Sequence, residues 1–229
     1  MKSTGSASFL ICITILLLVF ISSFDFGKTH AHIFISDDDA SSFLTLIERV
    51  RVEALMANVT ATENLTKSQD HYSKLIKNLD DIIDSENDFE ISSYQFDNST
   101  VNALLFANLM DEVLKNYGAS YGILPSVMTN MSYMSSTQMS TVNKSKSPLD
   151  TEKYMISKEY AKRAFEIYDS TLRIFENKNN KNSLDNIGKD LTELINSINN
   201  RTDPFDIMSI VHIGIHPNLQ TAFNLTLNS

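Results

Sequence analysis

Thiol sulfur is nearly missing from this chain: of its 229 residues one is a cysteine, Cys12, set inside an apolar run near the N-terminus. Beyond that run, disulfides, thiolate metal sites and cysteine nucleophiles are excluded. Glycine is scarce too, at six residues, and neither a Gly-rich phosphate loop nor a nucleophile-elbow pattern occurs. Basic charge is in deficit: the formal net charge is −9, and −10 once residues 1–31, which hold Lys2, Asp25 and Lys28, are set aside. That imbalance argues against nucleic acid and anionic membrane surfaces as partners. Conventional enzyme signatures are missing, so a non-enzymatic protein is expected. What is present is length enough for one domain with its own core and an apolar content of 42%, too high for a disordered chain.

The N-terminus reads as an export signal over residues 1–31. Lys2 supplies a positive start, the apolar run "FLICITILLLVFI" follows, and Thr29 and Ala31 form a small-x-small cleavage site. A cut after Ser23 is the alternative site. The rival expectation is an uncleaved anchor from Ala7 to Phe26, about the 20 residues a membrane span needs. Both place residues 32–229 outside the cytoplasm as a single helical domain, secreted or held on the outer membrane face. Seven Asn-x-Ser/Thr sequons, at Asn58, Asn64, Asn98, Asn130, Asn143, Asn200 and Asn224, leave glycosylation open.

Helical periodicity recurs along that domain and predicts helices over about 40–58, 62–84, 100–117, 151–176, 183–199 and 204–216. The expected buried stripes are Phe43, Leu46, Ile47, Val50 and Ala54 in the first, and Leu65, Tyr72, Ile76, Leu79 and Ile83 in the second. Val101, Leu104, Leu105, Leu109, Val113 and Tyr117 follow in the third, with Gly118 as its stop. Tyr160 to Phe175 and Leu184 to Ile198 supply two more. Asp203 and Pro204 open the last helix, which Pro217 is expected to close. Residues 119–149, rich in Met, Ser and Thr and without an apolar period, read as one long central loop. The expected fold is all-α, an up-down helical bundle. The two halves show no residue-level repeat.

That loop holds Met128, Met131, Met134 and Met139. Thioether sulfur is a soft ligand suited to Cu(I); the plainer alternative is that these side chains fill gaps in packing. If cleavage follows Ala31, His32 begins the mature chain, and its α-amino and imidazole nitrogens form a bidentate unit suited to Cu(II). His212 and His216 are spaced i, i+4, which stacks two imidazoles on one helix face. Ile213 stands where a zinc protease would carry its catalytic Glu, so hydrolysis of that type is not expected. Helix capping is the other role open to that pair. His71, beside Asp70, is a candidate further ligand with a carboxylate to orient it. Neither acidic run, 37–39 or 80–90, has the Gly and closing Glu of a hand-type calcium loop.

The segments "HAHIFISDDDASSFLTLIERVRVEALMANVT" and "IVHIGIHPNLQTAFNL" resemble exported helical proteins of ammonia-oxidising archaea that have no assigned activity. The likeness covers most of residues 32–229 and is strongest at the two ends. It implies a secreted or surface helical protein from organisms that depend heavily on copper enzymes. His32, His71, His212, His216 and the Met run fall where such relatives carry His- and Met-bearing segments. Those relatives continue into a Pro-containing apolar C-terminal tail that is not seen before Ser229, so C-terminal anchoring is not expected. The leading expectation is therefore a protein that binds or delivers copper and meets a copper protein or envelope protein. The alternative is an envelope or surface interaction module without metal; an anchored sensor-type bundle ranks third.

Overall fold

Side-chain caps open four of the α-helices in the structure, a computed structural model that describes residues 39–85, 98–131, 148 and 150–225. All of them belong to the unit Ala31–Ser229. Helix α1 (Asp39–Thr60) turns through residues 61–64 into α2 (Leu65–Ser85), where Asn64 Oδ1 accepts the Lys67 N–H at 3.1 Å. A link that short makes the two an antiparallel hairpin. Helix α3 (Ser99–Ser120) is capped by Asn98, whose side chain accepts the Thr100 N–H. Gly122, at φ 76°, turns the chain into the single turn α4 (Pro125–Met128). Asp150 caps α5 (Thr151–Ser170) by accepting the Glu152 and Lys153 N–H groups, and a 3-10 turn at Leu172–Phe175 follows. Helix α6 is Lys181–Asn199. The last stretch is continuous: α7 (Pro204–Ser209), capped by Asp203, a π turn at Ile210–Ile215, and α8 (His216–Phe223). Among the described residues there is no strand, and the fold is an all-α helical bundle.

Helix α3 is the axis of the core. Its predicted stripe is buried in full, and Ala103, Phe106, Met110 and Leu114 are buried with it, so the helix is covered on nearly every side. It packs against α1 and α5 and touches α4, α7 and α8, while α6 closes the far side against α5, the π turn and α8. Burying each large apolar side chain of such a helix contributes about 1.5–3 kcal/mol. No helix of the described residues is long and apolar enough to cross a membrane.

Several sequence expectations are corrected. Helix α3 does not stop at Gly118: Met128 packs where a Cβ would stand, so this glycine serves a close contact inside the helix. The central loop is shorter at its start, since residues up to 120 and 125–128 are helical. The fourth predicted helix, 151–176, gives up α-geometry after Ser170. Pro217 does not end the last helix; it is the second residue of α8, two positions after the π turn. A π turn already departs from i→i−4 bonding, so a residue with no N–H is accommodated there. In α1 the buried face carries Thr45, Glu48, Val52 and Met56, while the predicted stripe is only half-buried and Ala54 is exposed. Its polar members are satisfied: the Thr45 hydroxyl donates to the Ser41 carbonyl at 2.7 Å, and Glu48 accepts from Arg163.

Candidate functional site

The π turn and the first residue of α8 bury two imidazoles side by side, and the first of them reaches the start of the methionine run. His212 and His216 are 1% and 3% exposed, and their rings meet edge to face with centroids 5.1 Å apart. His212 Nε2 lies 3.0 Å from the Met128 carbonyl oxygen. A carbonyl only accepts, so Nε2 carries the proton and, in the neutral ring, Nδ1 carries the lone pair. Met128 is itself fully buried, its side chain lying on Gly118 of α3. The turn also needs Gly214, where an added Cβ would press on the Asp190 carboxylate of α6.

Two predicted donors, His212 and His216, are thus brought together, and Met128 meets His212 through its backbone carbonyl while its thioether lies on Gly118. Met131 lies at the surface, 36% exposed. His32, Met134 and Met139 lie outside the described residues, as do residues 1–31 with the expected export signal and residues 132–147 and 149 of the central loop. Among the described residues no group of three or more His, Cys, Asp or Glu side chains is arranged to hold a metal ion.

His71 belongs to a different cluster. Its ring is fully buried, with Nδ1 2.6 Å from Glu53 Oε2 of α1 and Nε2 3.5 Å from Glu152 Oε1 in the first turn of α5. The carboxylate that orients it is Glu53, not Asp70, which pairs instead with Lys74 at 2.6 Å. Lys67 and Lys74 reach Glu152 at 3.5 and 3.7 Å. The imidazole therefore hydrogen-bonds α1 through Nδ1, and Nε2 faces the Glu152 carboxylate of α5 at 3.5 Å without a hydrogen bond.

Sequence reasoning missed a cleft of about 290 Å³ between α1 and α3, lined by Arg49, Asn108, Asp111, Glu112 and Lys115 among others. Burial pushes the Asp111 carboxyl up to about 7; Lys115 opposes the shift and Glu112 adds to it. Burial acts on Glu112 in the same sense, but Arg49 at 2.8 Å and Lys115 at 3.1 Å outweigh it and hold that carboxyl below its usual range. Adjacent carboxyls are thus driven apart. The signal was an Asp-Glu pair inside an otherwise apolar helix, "LMDEVL".

Helix α2 supplies the largest departure from expectation. Its predicted core stripe faces outward: Leu65, Tyr72, Ile76, Leu79 and Ile83 are 67%, 52%, 57%, 40% and 60% exposed. The side turned to α1 carries Ser68, whose hydroxyl donates to the Ala57 carbonyl at 2.8 Å, and His71. Polar anchoring thus decides which face of the helix meets the bundle. No family model matches this chain, nor does a curated protein or a solved structure.

Proposed function

We propose that this chain is a non-enzymatic helical interaction module, exported by residues 1–31, that engages a protein partner through the outer face of α2. One observation carries this: five large apolar side chains in a single row on α2 stand 40–67% exposed. Contiguous apolar surface on that scale marks an interaction site more often than a solvated face. The bundle is complete without α2's outer row, because α3 supplies the core. Ile76→Lys tests it. Affinity purification of the full chain from its own cells should lose a co-purifying protein in the variant while its thermal midpoint stays put. The same set of proteins on both chains sinks the proposal.

A second reading is copper binding where His212, His216 and Met128 meet, the donor types expected from the sequence. Its support is the 5.1 Å imidazole pair, with the Met128 backbone against His212. Cu(I) titration against a competing chelator tests it. Met128→Leu and His212→Gln should each weaken binding by about tenfold or more if those side chains are ligands. Binding that both variants leave unchanged removes it.

A further inference from the structure

The outward row of α2 follows a heptad. With Gln69, Ile76 and Ile83 at the a positions, Leu65, Tyr72 and Leu79 occupy the d positions, so five of the six layers are apolar. A helix lying on a globular core shows a broader stripe, whereas a narrow a/d row is the seam by which one helix meets another. Helix α2 carries both. Its least exposed residues, Ser68, His71, Leu75, Asn78 and Ile82, turn toward the bundle, and the a/d row is a second, separate face.

We infer that this seam closes on the same seam of a second copy of the chain, the two α2 helices lying parallel and in register. The inference rests on α2 being the interaction surface and names its occupant. Ile at a with Leu at d is the combination that favours two parallel strands. Gln69 is the one polar layer and fixes the register. In a parallel pair it meets the copy's Gln69, and two side-chain amides, each donor and acceptor, satisfy one another. In an antiparallel pair a layers face d layers, and Gln69 would be buried against Leu79. The flanks raise no conflict: on the open side the e positions are Thr66, Ser73 and Asp80, and in parallel register Asp80 comes opposite the copy's Leu75, not opposite a like charge.

Size sets the strength. Five side chains at roughly 60–120 Å² each amount to about 400 Å² per copy. The pair then buries on the order of 800 Å², short of the ~1,200 Å² of a standard stable interface. The dimer is accordingly reversible, at micromolar protein. Each copy carries a net charge of −9, so added salt, which screens that repulsion, tightens it.

The scarcity of cysteine makes the test clean. In the full chain with Cys12→Ser, Gln69→Cys is expected to form a disulfide-linked dimer with itself under mild oxidation, and so is Leu79→Cys. An antiparallel pair would cross-link only when the two variants are mixed, which overturns the parallel arrangement. Sedimentation of the unsubstituted chain from about 1 to about 100 micromolar should show a monomer–dimer equilibrium. Ile76→Lys should raise its dissociation constant roughly a hundredfold without moving the thermal midpoint. That comparison separates the seam from association through residues 9–21. Maleimide labelling of Tyr72→Cys in the Cys12→Ser chain distinguishes the remaining outcomes. Labelling that slows as concentration rises supports the dimer. A monomer with rapid labelling overturns the second copy and leaves the seam open to another partner. A monomer with slow labelling, or an Ile76→Lys chain that melts early, places the seam inside the chain's own fold and overturns both the dimer and the interaction surface.

Discussion

His212 and Met128, 84 positions apart in sequence, are joined by a hydrogen bond of 3.0 Å from the imidazole Nε2–H to the backbone carbonyl oxygen. Met128 ends the single turn α4, where the last carbonyls have no partner within the helix. The bond therefore fastens that turn to the π turn across the core. His212→Leu should leave the carbonyl buried and unpaired, lowering stability by about 1–3 kcal/mol in urea titration. His212→Gln offers an amide N–H at a similar reach and should recover part of the loss.

Gly118 and Met128 form a second lock. A Cβ on Gly118 would overlap the Met128 side chain at Cγ, near its root, where it swings aside least easily. Gly118→Ala should cost about 1–3 kcal/mol as overpacking. Met128→Ala alone should cost about 2–5 kcal/mol through the cavity it opens. The double variant should be more stable than the sum of the two losses allows, because each change relieves the other. Additive losses would show that the two residues are not in contact.

How much of this was legible in the sequence depends on what each stretch reports. Helices α3 and α6 were read well: Val101 to Tyr117 and Leu184 to Ile198 face the core because their apolar rows have nothing but core to meet. Asp203 and Pro204 open α7 as expected, since capping is local chemistry. In α2 the period was right and the direction wrong, because periodicity shows that a face is apolar and not what lies opposite it. In α1 the buried Glu48 escaped notice because its partner, Arg163, lies 115 residues away. The His212–His216 spacing did foretell adjacent rings, but their burial and the π turn beneath them follow from packing on α6. Asp111 and Glu112 were passed over because their charge is balanced by residues from two helices.

The ring of His71 hydrogen-bonds Glu53 and faces Glu152 from a fully buried position. His71→Leu should strand the Glu53 carboxylate at the α1–α2 contact and destabilise the chain by roughly 3 kcal/mol. Hydrogen exchange in α2 should quicken more than in α3, because α2 packs chiefly on α1. Lys67→Ala removes a half-exposed partner of Glu152 and should cost no more than about 0.5 kcal/mol. Equal losses for both variants would assign the stability to the charge cluster as a whole and not to the imidazole.

Arg163 holds Glu48 with two hydrogen bonds, Nε at 2.7 Å and Nη2 at 3.0 Å, and clamps α5 onto α1. Glu48 is 5% exposed and its other cation, Arg51, stands 3.7 Å away, so Arg163→Ala removes both close hydrogen bonds from a buried carboxylate and should cost about 2–3 kcal/mol. Arg163→Lys keeps the charge but not the two-point geometry and should fall between. The Glu48→Gln, Arg163→Met pair, which removes both charges at similar volume, should recover most of the loss. A thermal melt of the four chains decides it; an unmoved Arg163→Ala midpoint would dismiss the clamp.

Asp111 gives the fold a dependence on pH of predictable sign. Its carboxyl titrates at about 7 in the folded chain, raised by burial from the 3.8 of an ordinary aspartate. Between those values the folded state binds a proton that the unfolded state has released. Stability is therefore full below the unfolded value of 3.8, falls as pH rises from there to about 7, and levels off above it. Asp111 is half-buried and lines an open cleft, so solvent screening discounts the effect to about 1–2 kcal/mol. Asp111→Asn mimics the protonated form at all pH values. It should leave the urea midpoint nearly unchanged at pH 3, below the unfolded value, and raise it at pH 8.5. A variant that raises stability equally at both pH values would show that Asp111 is ionised throughout, with Lys115 and not burial governing its charge.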